Sequence, residues 1–245
     1  LVTGVAGFAG RHLAEHLTAA NDHVIGLVRT PPDAECAAWA ADLGVDLLSW
    51  DVGEMDEPPQ PVARRLTEFA PECIYHLAAI SVPGRCGTDA PNHGARATNV
   101  YGAARVVRFA GGCAPRVRIV FVSSSKVYGP MPLGAAEVAE TAPPSPRGGY
   151  AISKVEAEQA VRRAADEAGG EDGIARAFQH AGPRQRLPMR LAEWSEQIAQ
   201  RVPQIIVRTR KAVIDLTDVR DVVRAYRLLA ERGVAGEVYN VGSGT

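Results

Sequence analysis

The chain has 245 residues, a length that suits one large α/β domain or a domain with a small appendage. Hydrophobic residues make up 46% and charged residues 22%, and 27 Lys+Arg against 28 Asp+Glu leave a formal charge of −1. That balance excludes the basic surface that nucleic acid or a membrane surface would require, and no apolar stretch approaches the roughly 18 residues of a membrane span. Neither is therefore expected as a partner. No basic segment followed by an apolar one opens the chain, and the four dispersed cysteines (Cys36, Cys73, Cys86, Cys113) lack CxxC pairing. They read as reduced thiols of a cytoplasmic protein. The chain begins inside an apolar run, LVTG, and stops at a glycine-rich NVGSGT, so it reads as a part cut from a longer protein.

In chain order, a strand stub at 1–3 meets Gly4, Gly7 and Gly10, then a helical pattern over 11–20. Short β-branched runs at 23–28, 45–50, 73–77, 117–122 and 173–178 predict strands, and 98–110 and 151–168 predict helices. Strands alternating with helices imply right-handed crossovers and a parallel sheet covered on both faces. The expected fold is thus α/β, a Rossmann-type doubly wound parallel sheet with a small, truncated C-terminal substrate lobe. Residues 1–179 are assigned to the dinucleotide-binding domain and 180–212 to part of the lobe. Residues 213–245 are read as a returning strand and helix. The proline-rich stretches 57–61 and 141–146 are loops, because proline lacks the N–H and fixes φ.

The glycine triplet opening the first helix has a physical use. Glycine permits a tight turn and close approach of a pyrophosphate, which the unpaired N–H groups of a helix N-terminus attract. The spacing here is GxxGFxG, between a strand and an amphipathic helix. An NAD site places a carboxylate at the end of the second strand for the ribose 2′-OH. Here Val28 is followed by Arg29, whose planar fork of donors suits a 2′-phosphate. NADP(H) is therefore the preferred cofactor, with NAD(H) the alternative. Asp51 and Val52, after the third strand, are read as the adenine's hydrogen-bonding and apolar wall.

At the other end stands SSSKVYG (123–129), followed by Tyr150-Ala-Ile-Ser-Lys154. Tyr150 and Lys154 are four apart at the head of a helix and share a face. A phenol titrates near 10, a neighbouring ammonium favours its phenolate, and a serine hydroxyl bonds a substrate oxygen. Such a trio moves a proton to or from an alcohol while a hydride passes to or from nicotinamide. YxxxK alone occurs by chance in many helices. The strand-end serines and the glycine turn, in this order, give it weight.

With LVTGVAGFAG, YHLAA, NVYG, VSSSKVYG, YAISK, RAFQHAGPRQ, DLTDVRDVVRAY and VYNVGSG, the chain resembles the extended short-chain dehydrogenase/reductase superfamily, of the NAD-dependent epimerase/dehydratase type. FQHAGPRQ and TDVRDVVRAY look most like the subgroup that reduces a GDP-linked 4-keto-6-deoxy sugar. The resemblance implies Ser124 as the catalytic hydroxyl, Tyr150 as acid/base, and Lys154 as its partner and the holder of the nicotinamide ribose. It places Gly4, Gly7, Phe8, Ala9, Gly10, Arg29, Asp51, Val52, Leu77, Ala78, Ala79, Asn99, Ser123, Tyr150, Lys154, Phe178 and His180 at the cofactor or in support of it. Ser124, Ser125, Gln179 and Arg184 fall on the substrate side. The family also implies a homodimer through helices 98–110 and 151–168.

Several departures bear on the substrate. Sugar-nucleotide dehydratases carry an acid in the segment filled by Ser125-Lys126, so a 4,6-dehydratase is not expected. Gln179 replaces the family's usual Asn. Ile214-Asp215-Leu216 replaces an RDF pattern whose Arg faces nucleotide phosphates, and the stretch 188–213 is short. Arg184, Arg208 and Arg210 are the candidates to compensate. The leading expectation is an NADP(H)-dependent reductase of a nucleotide-linked keto-sugar. Its rivals are an epimerase using the same trio and a non-catalytic dinucleotide sensor, which would tend to lose the Tyr and Lys. His12-Leu-Ala-Glu15-His16 matches a zinc-protease HxxEH, but it lies on a helix that must pack against the sheet. No metal site is expected there. Cys86 is read as a bystander thiol.

Overall fold

The computed structural model describes residues 1–130, 137–207 and 213–244. The β-branched runs become strands and the amphipathic segments cover them. The order is β1 (Val2–Thr3), α1 (Phe8–Ala19), β2 (Ile25–Val28), α2 (Ala34–Leu43), β3 (Asp46–Ser49), α3 (Gln60–Phe69) and β4 (Cys73–His76). A short α4 (His93–Ala95) runs through a π-turn, Arg96–Gly102, into α5 (Ala103–Gly111). Then come β5 (Arg118–Ser124), α6 (Gly148–Ala168), β6 (Glu171–Ala177), β7 (Gln179–Ala181), α7 (Arg190–Ala199), β8 (Leu216–Asp218), α8 (Val219–Arg232) and β9 (Val238–Val241).

Seven strands form one sheet in the order β3-β2-β1-β4-β5-β6-β9, every pair parallel. This is a doubly wound, Rossmann-like arrangement. The strand order reverses between β1 and β4, and ligands of such sheets bind outside the carboxyl ends of the strands at that switch point. β7 and β8 make a separate two-stranded parallel ribbon. β8 lies where a returning strand was expected within 213–245 but pairs with β7 instead of the main sheet, and the three-residue β7 is too short for an alternating pattern.

Alternation along the strands divides the core into two layers. Ile119 and Phe121 join Trp50, Leu66, Ile74, Val106, Val107 and Val161 on one side. Val120 joins Val2, Leu13, Leu17, Val222 and Tyr226 on the other. β5 runs two residues past the expected end because Ser123 and Ser124 pair with Arg176 and Ala177 of β6. α1 starts at Phe8, three residues early, with Gly7 as its N-cap. The helix expected over 98–110 begins instead within the π-turn, which carries Asn99. Among the described residues no helix is long and apolar enough to cross a membrane.

Candidate active site

The carboxyl ends of β1, β2, β4, β5 and β6 open onto one cleft of roughly 1510 Å³. Gly4, Gly7, Phe8, Ala9 and Gly10 form its floor below β1. Gly4 has φ +65°, and a Cβ on Gly10 would fall 2.2 Å from the Gly4 carbonyl oxygen, so both need glycine. No side chain caps α1 at Gly7. Its first-turn N–H groups therefore suit a pyrophosphate, which is the fit a dinucleotide requires. Thr3, at the end of β1, accepts hydrogen bonds on Oγ1 from Leu77 N (3.1 Å) and Ala78 N (3.0 Å). These bonds fix the Leu77-Ala78-Ala79 wall of the cleft.

Arg29 is exposed on the cleft rim, followed by Thr30. A second cation unmarked in the sequence shares the cleft. Arg11 donates to Glu35 (3.1 Å) and lies 5.1 Å from the Trp39 ring centroid. Asp51 and Val52, expected at the adenine, do not line the cleft. Val52 is buried in the core against Gly102, and its carbonyl accepts from Arg105 (2.8 Å). Asp51 accepts from Gly53 N (3.0 Å) within its own turn. Asn99 is likewise off the cleft wall. It bonds both backbone groups of Ile80 and donates to Ser153 (3.0 Å), whose hydroxyl donates to the Tyr150 carbonyl (2.7 Å). It thus braces the loop after β4 against the first turn of α6.

Ser124, Ser125, Tyr150 and Lys154 come together at the chemical end. Ser124 caps a 3₁₀ turn, Ser125–Tyr128, by accepting from Lys126 N (3.2 Å). Lys154 is buried, donates to the Val122 carbonyl (2.8 Å) and lies 5.0 Å from the Phe121 ring centroid. Burial brings its ammonium down to about 8, against the opposing influence of Glu158 and Cys86. Burial also pushes the Tyr150 phenol up to about 12, with the Ser124 hydroxyl acting in the opposite direction. The expected lowering of the phenol by Lys154 is not found. The ammonium spends one of its three N–H groups on Val122, and the phenol is protonated at neutral pH.

One neighbour, His76, was not marked by the sequence. His76 is fully buried beneath the lysine, its Nδ1 3.1 Å from Thr3 Oγ1. Burial, with Lys154 acting in the same direction, brings the imidazole down to about 3. Cys86 is also fully buried. Its thiol donates to the Ile80 carbonyl (3.2 Å), and burial raises it. Ser123 lines the cleft, yet its hydroxyl donates to Glu158, which pairs with Arg176 in the interior. Ion pairs between distant elements leave no periodic trace in a sequence.

Beyond β6 the cleft is lined by Phe178, Gln179, His180 and Arg184. His180 stacks on Phe8 (6.0 Å between centroids) and bonds the Phe178 carbonyl through Nδ1 (3.0 Å). This ties the glycine-turn helix to the loop after β6. Arg184 does not offer a free fork. It sits at φ +69° and donates both terminal nitrogens to Glu15 (2.5 and 2.6 Å) beside His12, whose Nε2 lies 3.0 Å from the Pro183 carbonyl. The HxxEH residues thus divide. His12 and Glu15 latch this loop to α1, while His16 faces Arg224 and Arg227. Arg208 and Arg210 lie outside the described residues. Ile214 lines the cleft, and Asp215 accepts from Ser243 N (2.8 Å) and Gly244 N (2.9 Å), closing the loop after β9. Lys126 is exposed on the cleft beside Ser125.

A glycine turn at the switch point of a parallel sheet, with a Ser–Tyr–Lys cluster one strand away, defines a dinucleotide-binding chain equipped for proton transfer. The model of the NAD dependent epimerase/dehydratase family matches residues 1–242, and the chain belongs to that family. The GDP-6-deoxy-D-mannose reductase of Pseudomonas aeruginosa is 32% identical over 255 residues, covering 99% of this chain and 74% of the relative. The UDP-glucuronic acid 4-epimerase of Bacillus cereus, solved with UDP-glucuronic acid and NAD, is 25% identical with a TM-score of 0.80, covering 98% of this chain and 76% of the other. MoeE5, solved with UDP-glucose and NAD, is 26% identical with a TM-score of 0.78, covering 100% and 76%.

Proposed function

We propose that the chain is an NADP(H)-preferring oxidoreductase that reduces a nucleotide-linked keto-sugar, a 4-keto-6-deoxy hexose by analogy with the Pseudomonas reductase. The observation that carries the reading is the gathering of Ser124, Tyr150 and the buried Lys154 on one cleft with the glycine turn of α1. A reduction needs a general acid at the carbonyl oxygen, and a phenol held up to about 12 is one throughout the neutral range. Ser124 bonds that oxygen, Tyr150 gives it a proton, and the Lys154 ammonium offsets the charge left on the phenolate. Lys154 also holds the nicotinamide ribose. A nicotinamide held there would supply the hydride. Arg29 pairs the 2′-phosphate, and the uncapped turn at Gly7 holds the pyrophosphate.

The assembly proposed is a homodimer through α5 and α6 in the cytoplasm, checked by light scattering at micromolar concentration. An epimerase is the second reading, favoured by the likeness to the Bacillus cereus enzyme. The deciding experiment incubates the protein with NADPH and a GDP-linked 4-keto-6-deoxy hexose. One NADP⁺ released per sugar consumed supports the reductase. Inversion of a UDP-hexose without net cofactor turnover replaces it with the epimerase. NADPH binding without turnover of either sugar leaves the sensor.

A further inference from the structure

Four segments that frame the chemical end meet on one buried ion pair that no step above uses. Glu158, one turn beyond Lys154 on α6, and Arg176 in β6 have side chains only 7% and 6% exposed. Two bonds join them, from Arg176 Nε to Oε1 (3.0 Å) and from Nη2 to Oε2 (2.8 Å). Ser123 donates to the same Oε1. The residue before Ser123 is Val122, whose carbonyl holds Lys154; the residue after it is Ser124. Glu158 thus grips β5 between the two residues that set the positions of the lysine and the serine. Arg176 carries the contact onward. Its Nη1 donates to the Tyr128 hydroxyl (3.0 Å) and the Glu140 carbonyl (3.3 Å). Tyr128, in the turn after Ser124, donates to Asn240 of β9 (2.7 Å).

A buried ion pair is a costly way to fill a core. Desolvation offsets most of the attraction, and apolar residues of similar volume are often as stabilising or more so. What this pair adds is direction, since two charge-assisted bonds and a serine bond fix the helix against the strand in one register. We infer that Glu158 and Arg176 are positioning residues, locking the end of β5 to α6 so that the Ser124 hydroxyl and the Lys154 ammonium stand at the spacing the reaction needs. This rests on the roles given to Ser124, Tyr150 and Lys154 above. The charged and titratable groups acting on Lys154 are Glu158 from its own helix, Cys86 from the loop after β4 and His76 from β4.

The test exploits a sparse residue type. The full chain has three lysines, Lys126, Lys154 and Lys211. Labelling with [ε-¹³C]lysine gives three resonances, and that of Lys154 is identified by its loss in Lys154→Arg. The double variant Glu158→Leu/Arg176→Met removes both charges and leaves neither alone. It is expected to fold, to bind NADPH much as the parent does, and to lose roughly 10–100-fold in kcat with KM little changed, the scale of a small misplacement at a reacting centre. Loss of the Glu158 carboxylate lowers the Lys154 midpoint and loss of the Arg176 cation bonded to it acts against that, so the midpoint should move down by less than the roughly one pH unit that losing a lone opposite charge gives. Ser123→Ala, which keeps the pair, should lower kcat less and leave the Lys154 midpoint in place. A folded double variant with the parent's kcat and Lys154 midpoint overturns the inference. Should the double variant not fold, an unchanged kcat in Ser123→Ala overturns it. If the parent turns over no keto-sugar, the functional reading fails separately, and the ε-¹³C shift of the protonated Lys154, compared with the parent's well below the midpoint, then reports its position; an unchanged shift overturns the inference.

Discussion

At the chemical end of the cleft the polar groups sit under cover and answer to one another: Lys154 to the Val122 carbonyl, Ser123 to Glu158, His76 to Thr3. At the adenine end Arg29 and Thr30 stand exposed, and the ion pair there, Arg11 to Glu35, joins a half-buried arginine to an exposed glutamate. The contrast separates two jobs. Groups fixed in a low-dielectric interior act strongly on whatever charge develops beside them, so they suit chemistry. Exposed cations act through a charged ligand and are screened by salt, so they suit a preference between two cofactors.

The largest expected effect is therefore at the buried end. Tyr150→Phe removes the proposed general acid and should lower kcat by roughly 10²–10⁴-fold while NADPH affinity, measured by direct titration, stays close to the parent's. Near-normal turnover would erase the distinction between the ends. Next comes Phe121, fully buried and stacked on His76 beneath Lys154. Phe121→Ala should cost about 3–5 kcal/mol of stability in a urea titration, because the cavity opens in a layer that cannot collapse around the sheet. A loss below about 1 kcal/mol, the scale of a tolerant surface site, would mean the floor of the site is soft.

At the exposed end the effect is smaller. Arg29→Ala should weaken NADPH by about 1.5–3 kcal/mol, the range for a bond to a charged group, and leave NADH nearly unchanged. Equal affinities of the parent for the two cofactors would remove Arg29 from the account.

The smallest effect is in pH dependence. His76 is held down to about 3 in the folded chain against an ordinary value near 6.5. As pH falls through that window the unfolded chain takes up a proton that the folded chain refuses, so stability declines from about pH 6.5 towards 3. His76→Leu should show a flatter fall in urea midpoint between pH 7 and 5. Parallel slopes would show that the buried ring contributes nothing to acid sensitivity.

Much of this was legible in the sequence where one element carries the signal. The glycine spacing, the β-branched strands and the Tyr150–Lys154 separation are local patterns, and the sheet brings them to one cleft. What the sequence did not disclose depends on which way a side chain turns after a strand ends. Val52 turns inward against Gly102 instead of facing adenine. Arg184, held at φ +69°, turns back onto Glu15 instead of towards a phosphate. Glu158 and Arg176 lie on a helix and the strand after it, and nothing in either segment marks them as partners. The three-residue β7 is too short for an alternation to be read, whereas α7 carries Leu191, Trp194 and Ile198 at helical spacing although none of its residues is buried.

The central claim is that this cleft adds a hydride and a proton to a sugar carbonyl and releases the product. It is tested most directly by supplying NADPH deuterated at the transferring position of the nicotinamide ring, with a GDP-linked 4-keto-6-deoxy hexose, and weighing the sugar by mass spectrometry. The account predicts a product carrying one deuterium, formed in step with NADP⁺ and abolished with Tyr150→Phe. An unlabelled sugar, or an inverted one formed with no NADPH consumed, would contradict it.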